Sequence, residues 1–257
     1  MDNEIVIRDK FATVQSYSDL PKRLIISSPF RHNSVTSYGI ILYALDTNRW
    51  HLVQRNHSPE YIELIRGSYR HSRISILLTG LSRRETTKLK SLTIGPDQDF
   101  LDEYDRVVPT HERDLALAKF NDCRQILIDE LRGFDAFYEE TEWLWPKGRP
   151  INAESPFRTA VREFEEETSI PYDLITLVSP KIVKEYYIGR NERKYQTKCW
   201  IFTIDRETDV TQTELTKPTE IGRRGWFSYE EAMKRLRESK REALIRAAEI
   251  IKNSLMH

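Results

Sequence analysis

The sequence predicts an α/β protein. Three observations lead there: two strand-like apolar runs at residues 38–54, a long stretch of helical periodicity after them, and a return to strands beyond a helix that opens on Ser155-Pro156. The chain has 257 residues, 39% hydrophobic and 11% aromatic, enough for one large domain or two small ones with a proper core.

The first strands lie in "YGIILYALDTNRWHLVQ", where the turn-forming residues Asp46 to Asn48 signal a hairpin. From Ser58 to Glu140 the character is helical. There "GLSRRETTKLKSL" opens on a capping box, Ser82 to Glu85, and "DLALAKFNDCRQILIDEL" carries apolar residues at helical spacing. Gly95 and Pro96 break this region between helices. Strands resume in "LITLVSPKIVKEYYIG" and "KYQTKCWIFTID", joined by the turn "GRNER", and again in "GRRGWFS". Two capping boxes, Ser228 to Glu231 and Ser239 to Glu242, then open two C-terminal helices. The expected division is one discontinuous domain, 1–57 and 138–257, with a helical insertion at 58–137; residues 1–37 match no pattern.

Charge excludes little by itself, because 40 basic and 40 acidic side chains cancel, so a polyanionic partner has to be sought in local clusters. Cys123 and Cys199 are too few for a disulfide framework or a zinc site, and the six histidines stand at no ligand spacing. The charged start "MDNEIVIRDKF" has no apolar core of a secretory signal, and no apolar run approaches the roughly 20 residues that span a bilayer. The expectation is a soluble intracellular protein with no membrane partner.

The most informative stretch is "WPKGRPINAESPFRTAVREFEEETSI". Ser155 is a good N-cap and Pro156 a good first helical residue. Phe157, Ala160, Val161 and Phe164 then fall on one apolar stripe. Glu163, Glu166 and Glu167 lie at i, i+3 and i+4 beside it, where like charges repel by a few tenths of a kcal/mol per pair, roughly. A divalent cation would offset that repulsion, and all-oxygen ligands suit Mg2+ or Mn2+. The plainer alternative is a solvated acidic face paired with Arg158 and Arg162.

Spacing decides between them. Gly148, Glu154, Arg162, Glu163, Phe164, Glu166, Glu167, Ser169 and Ile170 follow G-x5-E-x7-R-E-U-x-E-E-x-G-U, U being a bulky apolar residue, at eight of nine specified positions. In this the chain resembles the Nudix hydrolases. The departure is Ser169 in place of glycine, at a position after the helix where left-handed backbone is favoured; serine there costs about 1 kcal/mol.

The resemblance implies a mixed-sheet α/β/α sandwich and hydrolysis of a nucleoside diphosphate linked to another group, by water attack on phosphorus. It implies that Glu163, Glu166 and Glu167 hold Mg2+ or Mn2+ near the Gly148 carbonyl, that Arg162 orients them, and that Glu154 braces the loop. A base or further metal ligand comes, in several branches, from a loop glutamate before a strand. Glu220 is the candidate, its alternative being an exposed loop carboxylate.

The flanks resemble one branch. "WLWPKGRP" is similar to the segment before the signature in mRNA decapping enzymes and some polyphosphate hydrolases, where Lys147 would meet a phosphate. With the helical insertion and "VQRNHSPEYIELIRGSY", the chain resembles the decapping enzymes of large cytoplasmic DNA viruses, poxviruses and African swine fever virus among them. This implies a viral protein of the host cytoplasm that acts on capped mRNA, releasing 7-methyl-GDP and 5'-monophosphate RNA. Free nucleotides and diphosphoinositol polyphosphates are the alternative substrates, and a silent RNA-binding module is the third reading, which the intact glutamate set disfavours.

RNA needs a basic path. Arg66, Arg70, Arg73, Arg83, Arg84, Lys88 and Lys90 are the candidates, against one acid, Glu85, in the same span; Arg223 and Arg224 are further ones. A solvated helix face is their plain alternative. A methylated, cationic guanine needs an aromatic to stack on, and Trp143, Tyr186 and Tyr187 are the first choices among aromatics that otherwise read as core.

Overall fold

The computed structural model describes residues 34–108, 112–208 and 220–255. Two strands come first, β1 (Val35–Ala44) and β2 (Arg49–Arg55), turning at Asn48, whose positive φ of 56° asparagine tolerates better than most residues. Five helices follow: α1 (Pro59–Arg66), α2 (Ile74–Leu78), α3 (Arg83–Ile94), α4 (Asp97–Val107) and α5 (Arg113–Leu131). Then come β3 (Trp143–Leu144), β4 (Lys147–Gly148), α6 (Pro156–Thr168), β5 (Thr176–Ile188), β6 (Lys194–Ile204), β7 (Ile221–Phe227), α7 (Tyr229–Arg235) and α8 (Glu238–Leu255). The expected hairpin, the Gly95-Pro96 break and the strand pair around "GRNER" are all present.

The described residues form two compact units: 34–53, 143–208 and 224–255 make one, and 54–142 with 220–223 the other. The second is helical. Its core packs Tyr61, Leu64, Leu77, Leu89, Phe100, Phe120 and Leu127, with Phe100 and Phe120 stacked at 4.3 Å between centroids. Glu85 completes the capping box at Ser82 and also accepts from the Ser58 amide at 2.6 Å, so one carboxylate ties the starts of two helices.

The first unit is the α/β sandwich. The sheet is mixed, in the order β3-β2-β1-β6-β5, with β4 on β1 and β7 on β2. β1 runs antiparallel to β2 and β4 and parallel to β6, from Val35 opposite Tyr195 to Ala44 opposite Ile204. Because side chains alternate along a strand, β1 serves both faces. Ile40, Leu42 and Ala44 pack with Ala160 and Phe164 of α6, while Ile41 packs with Ala232 of α7 and Ala243, Leu244 and Ala247 of α8. Helices therefore cover both faces, as the α/β/α expectation requires.

Two details depart from expectation. Ser239 is not an N-cap, since α8 begins one residue earlier, and its hydroxyl donates instead to Glu185 Oε1 at 3.3 Å beside the buried Lys240–Glu185 ion pair at 2.9 Å. Phe157 keeps 36% exposure, seated edge-on against Trp200 at the rim of the core.

Candidate active site

The site is built on α6. Ser155 caps it, accepting from the Arg158 amide, and Pro156 sits in its first turn. Ala160 and Phe164 are fully buried against the sheet, which fixes the rotation of the helix. That rotation turns Glu163 and Glu167, each 6% exposed, toward the short strand β4, and leaves Glu166 more open. Glu165 faces elsewhere and caps the next segment, accepting from the Tyr172 amide at 2.9 Å.

β4 approaches closely because glycines let it. A Cβ on Gly39 would stand 2.3 Å from the Pro146 carbonyl oxygen, and one on Gly148 would stand 2.0 Å from Glu163 Cδ. Docked this way, the Lys147 amide donates to Glu167 Oε2 at 2.8 Å.

Arg162 is the hub. Its Nε donates to Glu154 Oε1 at 3.0 Å and its Nη2 to Glu154 Oε2 at 3.0 Å, a two-point fork on one carboxylate. Nη1 donates to Glu163 Oε1 at 2.8 Å and Glu166 Oε2 at 3.0 Å, and Nη2 reaches the Arg149 carbonyl at 3.1 Å. Glu154 also accepts from Thr159 Oγ1 and the Ile151 amide, so it closes the loop before the helix. The Arg162 guanidinium holds the Glu154 carboxyl down to about 2, and Glu154 first, then Glu163, raises Arg162 further above its ordinary range. One cation thus offsets three carboxylates on or beside α6. The remaining cluster, oxygen-only and partly shielded from water, has donor chemistry that fits Mg2+ or Mn2+.

The helix ends at Ser169 with φ 58° and ψ 20°, the left-handed conformation expected there. The Thr168 carbonyl accepts from the Arg224 guanidinium, which places a cation at the helix C-terminus. Arg224 is therefore a capping group in this fold. Arg223 donates to Gln54 Oε1 and Glu140.

The other candidates distribute as follows. Glu220 is exposed, immediately before β7, its carbonyl accepting from the Asn56 amide at 2.8 Å; it belongs to the helical unit's portion of the chain. Trp143 is 5% exposed in the core, edge-on to Phe227 and under the Arg235 guanidinium. Tyr186 is 8% exposed and its hydroxyl accepts from Gln196. Tyr187 is half-buried, stacked on Tyr195 at 5.0 Å. Arg66, Arg70, Arg73, Arg83, Arg84, Lys88 and Lys90 all lie in the helical unit, where Arg83 pairs with Glu139, Lys88 with Glu103, and Lys90 donates to the Phe134 carbonyl. No helix among the described residues is long and apolar enough to cross a membrane.

Thr159 and the Lys147 amide are partners that sequence reasoning missed, the first hidden as an ordinary helix residue and the second a backbone group with no sequence signal.

The braced glutamates follow the Nudix signature on a mixed sheet covered by helices on both faces. A model of the NUDIX domain matches residues 111–247, just over half the chain, and the chain belongs to this family. It is similar to a protein of Acanthamoeba polyphaga mimivirus named "Putative mRNA-decapping protein", 33% identical over 129 residues, which are 47% of this chain and 34% of that protein. The chain thus spans about a third of the length of that relative. Among solved structures it is similar to a C. elegans Ap4A hydrolase (TM-score 0.48, 14% identity, 85% of this chain and 98% of that one). An E. coli dihydroneopterin triphosphate pyrophosphohydrolase is also similar (TM-score 0.41, 14% identity, 82% and 92%).

Proposed function

We propose that the chain is a metal-dependent hydrolase that removes the 5' cap from mRNA in the cytoplasm of a virus-infected cell, leaving 5'-monophosphate RNA and 7-methyl-GDP. The observation that carries the hydrolytic part is the braced glutamate set: Glu163, Glu166 and Glu167 on one helix, with Arg162 and the Lys147 amide fixing their carboxylates. The relative named for mRNA decapping supports the substrate.

In this reading Glu163, Glu166 and Glu167, with the Gly148 carbonyl, hold Mg2+ or Mn2+. The ion supplies charge neutralisation at the bridging phosphates and a more acidic water. Arg162 keeps the carboxylates aimed, and Glu154 keeps Arg162 in place. Glu220 takes the proton of the attacking water or adds a carboxylate ligand. Lys147, 9% exposed, is the residue to meet a phosphate, and Tyr187 or Tyr186, on opposite faces of the strand, stacks on the cap base. Trp143 is the further stacking candidate, packed against Phe227 and Arg235. The basic residues Arg66, Arg70, Arg73, Arg83, Arg84, Lys88 and Lys90 hold the RNA body.

The pairing of Arg83, Lys88 and Lys90 within the helical unit favours a second reading, hydrolysis of small nucleoside or diphosphoinositol polyphosphates. One experiment separates them: Mn2+-supported hydrolysis of cap-labelled RNA, free cap dinucleotide and a diphosphoinositol polyphosphate, by wild type and Glu166→Gln. Decapping predicts 7-methyl-GDP release that falls at least about 100-fold in the variant, is stronger on RNA than on the dinucleotide, and declines with salt. Cleavage of the small molecules alone would assign the second reading, and cleavage of nothing would leave an RNA-binding module.

A further inference from the structure

No pair of histidines or cysteines stands at ligand spacing in the sequence, but the helical unit brings three ligand types together. Among the described residues, His71, Asp122 and Cys123 have one ligand atom each within 4.8 Å of the others. His71 opens the 3-10 turn His71–Arg73 ahead of α2, and the other two sit in the middle of α5. His71 Nε2 lies 3.1 Å from Asp122 Oδ2. Cys123 is fully buried and carries a free thiol, whereas the side chains of His71 and Asp122 are 47% and 64% exposed. The cluster therefore has a dry sulfur floor and an open mouth.

A second observation points into the same place. The buried Tyr69 hydroxyl faces the Cys123 sulfur, which as a thiol is only a weak acceptor. A buried O–H is best satisfied by a strong acceptor, and a metal-bound thiolate would be a stronger one than the thiol, in the manner of groups that support metal ligands from behind. Lys119 stands nearby, Nζ 3.9 Å from Asp122 Oδ2 and 5.7 Å from the centre of the Tyr69 ring. Its loose pairing with Asp122 is exposed enough to yield to an ion.

We propose that His71, Asp122 and Cys123 form a transition-metal site that takes Zn2+, with water as fourth ligand. Imidazole, thiolate and carboxylate together are a borderline-soft donor set, in contrast to the oxygen-only glutamates of α6. On binding, Cys123 releases its thiol proton to solvent and the ion takes its place. The site ties the turn at His71–Arg73 to α5, and so fixes the basic segment from Arg70 to Arg73 that borders it.

Cobalt titration tests this, because sulfur ligation gives Co2+ an intense thiolate charge-transfer absorption that carboxylates cannot produce. Reduced full-length protein is titrated with Co2+ in excess Mg2+, which saturates the oxygen-only cluster. The expected result is a charge-transfer band saturating at one Co2+ per chain, displaced by Zn2+, retained in Glu166→Gln and absent in Cys123→Ser. His71→Ala, a change at an exposed side chain that leaves the core intact, should weaken Co2+ binding by more than the about 10–100-fold typical of a supporting group. Zn2+ should also raise the Tm of wild type but not of His71→Ala. No charge-transfer band in wild type, a band surviving in Cys123→Ser, or equal affinity in His71→Ala would each overturn the proposal.

Discussion

Glu163 occupies the space that any side chain on Gly148 would need, its Cδ standing 2.0 Å from where a Cβ would be. The contact is with the tip of a flexible side chain, so Gly148→Ala should displace the carboxylate more than it disturbs the fold. Thermal unfolding should show a stability change within about 1 kcal/mol. Calorimetric Mn2+ affinity and kcat/KM on capped RNA should fall at least about tenfold, about 1.4 kcal/mol. Unchanged Mn2+ affinity would mean that Glu163 is not pinned by this contact.

Arg162 and Glu154 should behave as one device. Arg162→Lys keeps the charge and loses the planar fork, and Glu154→Gln removes the carboxylate that the fork grips. Each alone should lower turnover, and the double variant should lower it by less than the two effects summed. The expected coupling is about 0.5–3 kcal/mol in the cycle. Additivity would reduce Glu154 to a loop-closing residue with no hold on Arg162.

Ser169→Gly should stabilise the chain. The backbone there is left-handed, φ 58°, which costs a residue with a Cβ about 1–2 kcal/mol. Part of the gain is offset by the greater freedom of glycine in the unfolded chain, so about 1 kcal/mol is expected from urea unfolding, with turnover unchanged.

Below neutral pH the protein should weaken through His51. This residue is fully buried in β2, its ring edge-on to Trp226, and neither ring nitrogen has a hydrogen-bond partner. Burial first, then the Arg224 charge, push the imidazole from 6.5 to about 3. The unfolded chain then takes up the proton before the folded one. Above about pH 6.5 the residue contributes no pH dependence, and between there and about pH 3 stability drops by about 1.4 kcal/mol per unit. Relative to His51→Leu, wild type should lose about 2 kcal/mol between pH 7.5 and pH 5, read as a shift in urea midpoint. Parallel curves for the two proteins would show that His51 is not the group responsible.

Much of α6 was legible in the sequence because its determinants are local. Ser155, Pro156, the apolar stripe and the left-handed residue at 169 are all set within one helix, and periodicity places Glu163, Glu166 and Glu167 without any tertiary knowledge. Its partners were not legible. The Lys147 amide that meets Glu167 is a backbone group brought in by Gly39, more than a hundred positions earlier and on another strand. Aromatic type likewise cannot say which ring is covered: Trp143, read as a stacking candidate, lies in the core under Arg235. Ser239 has capping-box spacing, but it lies inside α8 and its hydroxyl answers to Glu185 on β5. His71 and Asp122 stand 51 residues apart, beyond the reach of any spacing rule.

The pairing of β1 sets a schedule for biosynthesis. Its antiparallel partner β2 follows within five residues, whereas its parallel partner β6 begins about 150 residues later. At ribosomal rates of about 5–20 residues per second, the hairpin waits roughly 7 to 30 s with a central strand open along one edge. Ile40 and Leu42 are uncovered until α6 is made, about 110 residues after β1, and Ile41 until α7 and α8 follow β6. The helical unit, whose core lies almost entirely in residues 61–131, is synthesised inside that window and has only local contacts to make. In nascent chains, protease resistance should therefore arise first in residues 54–142, with the sheet protected only after β6 and α8 have emerged.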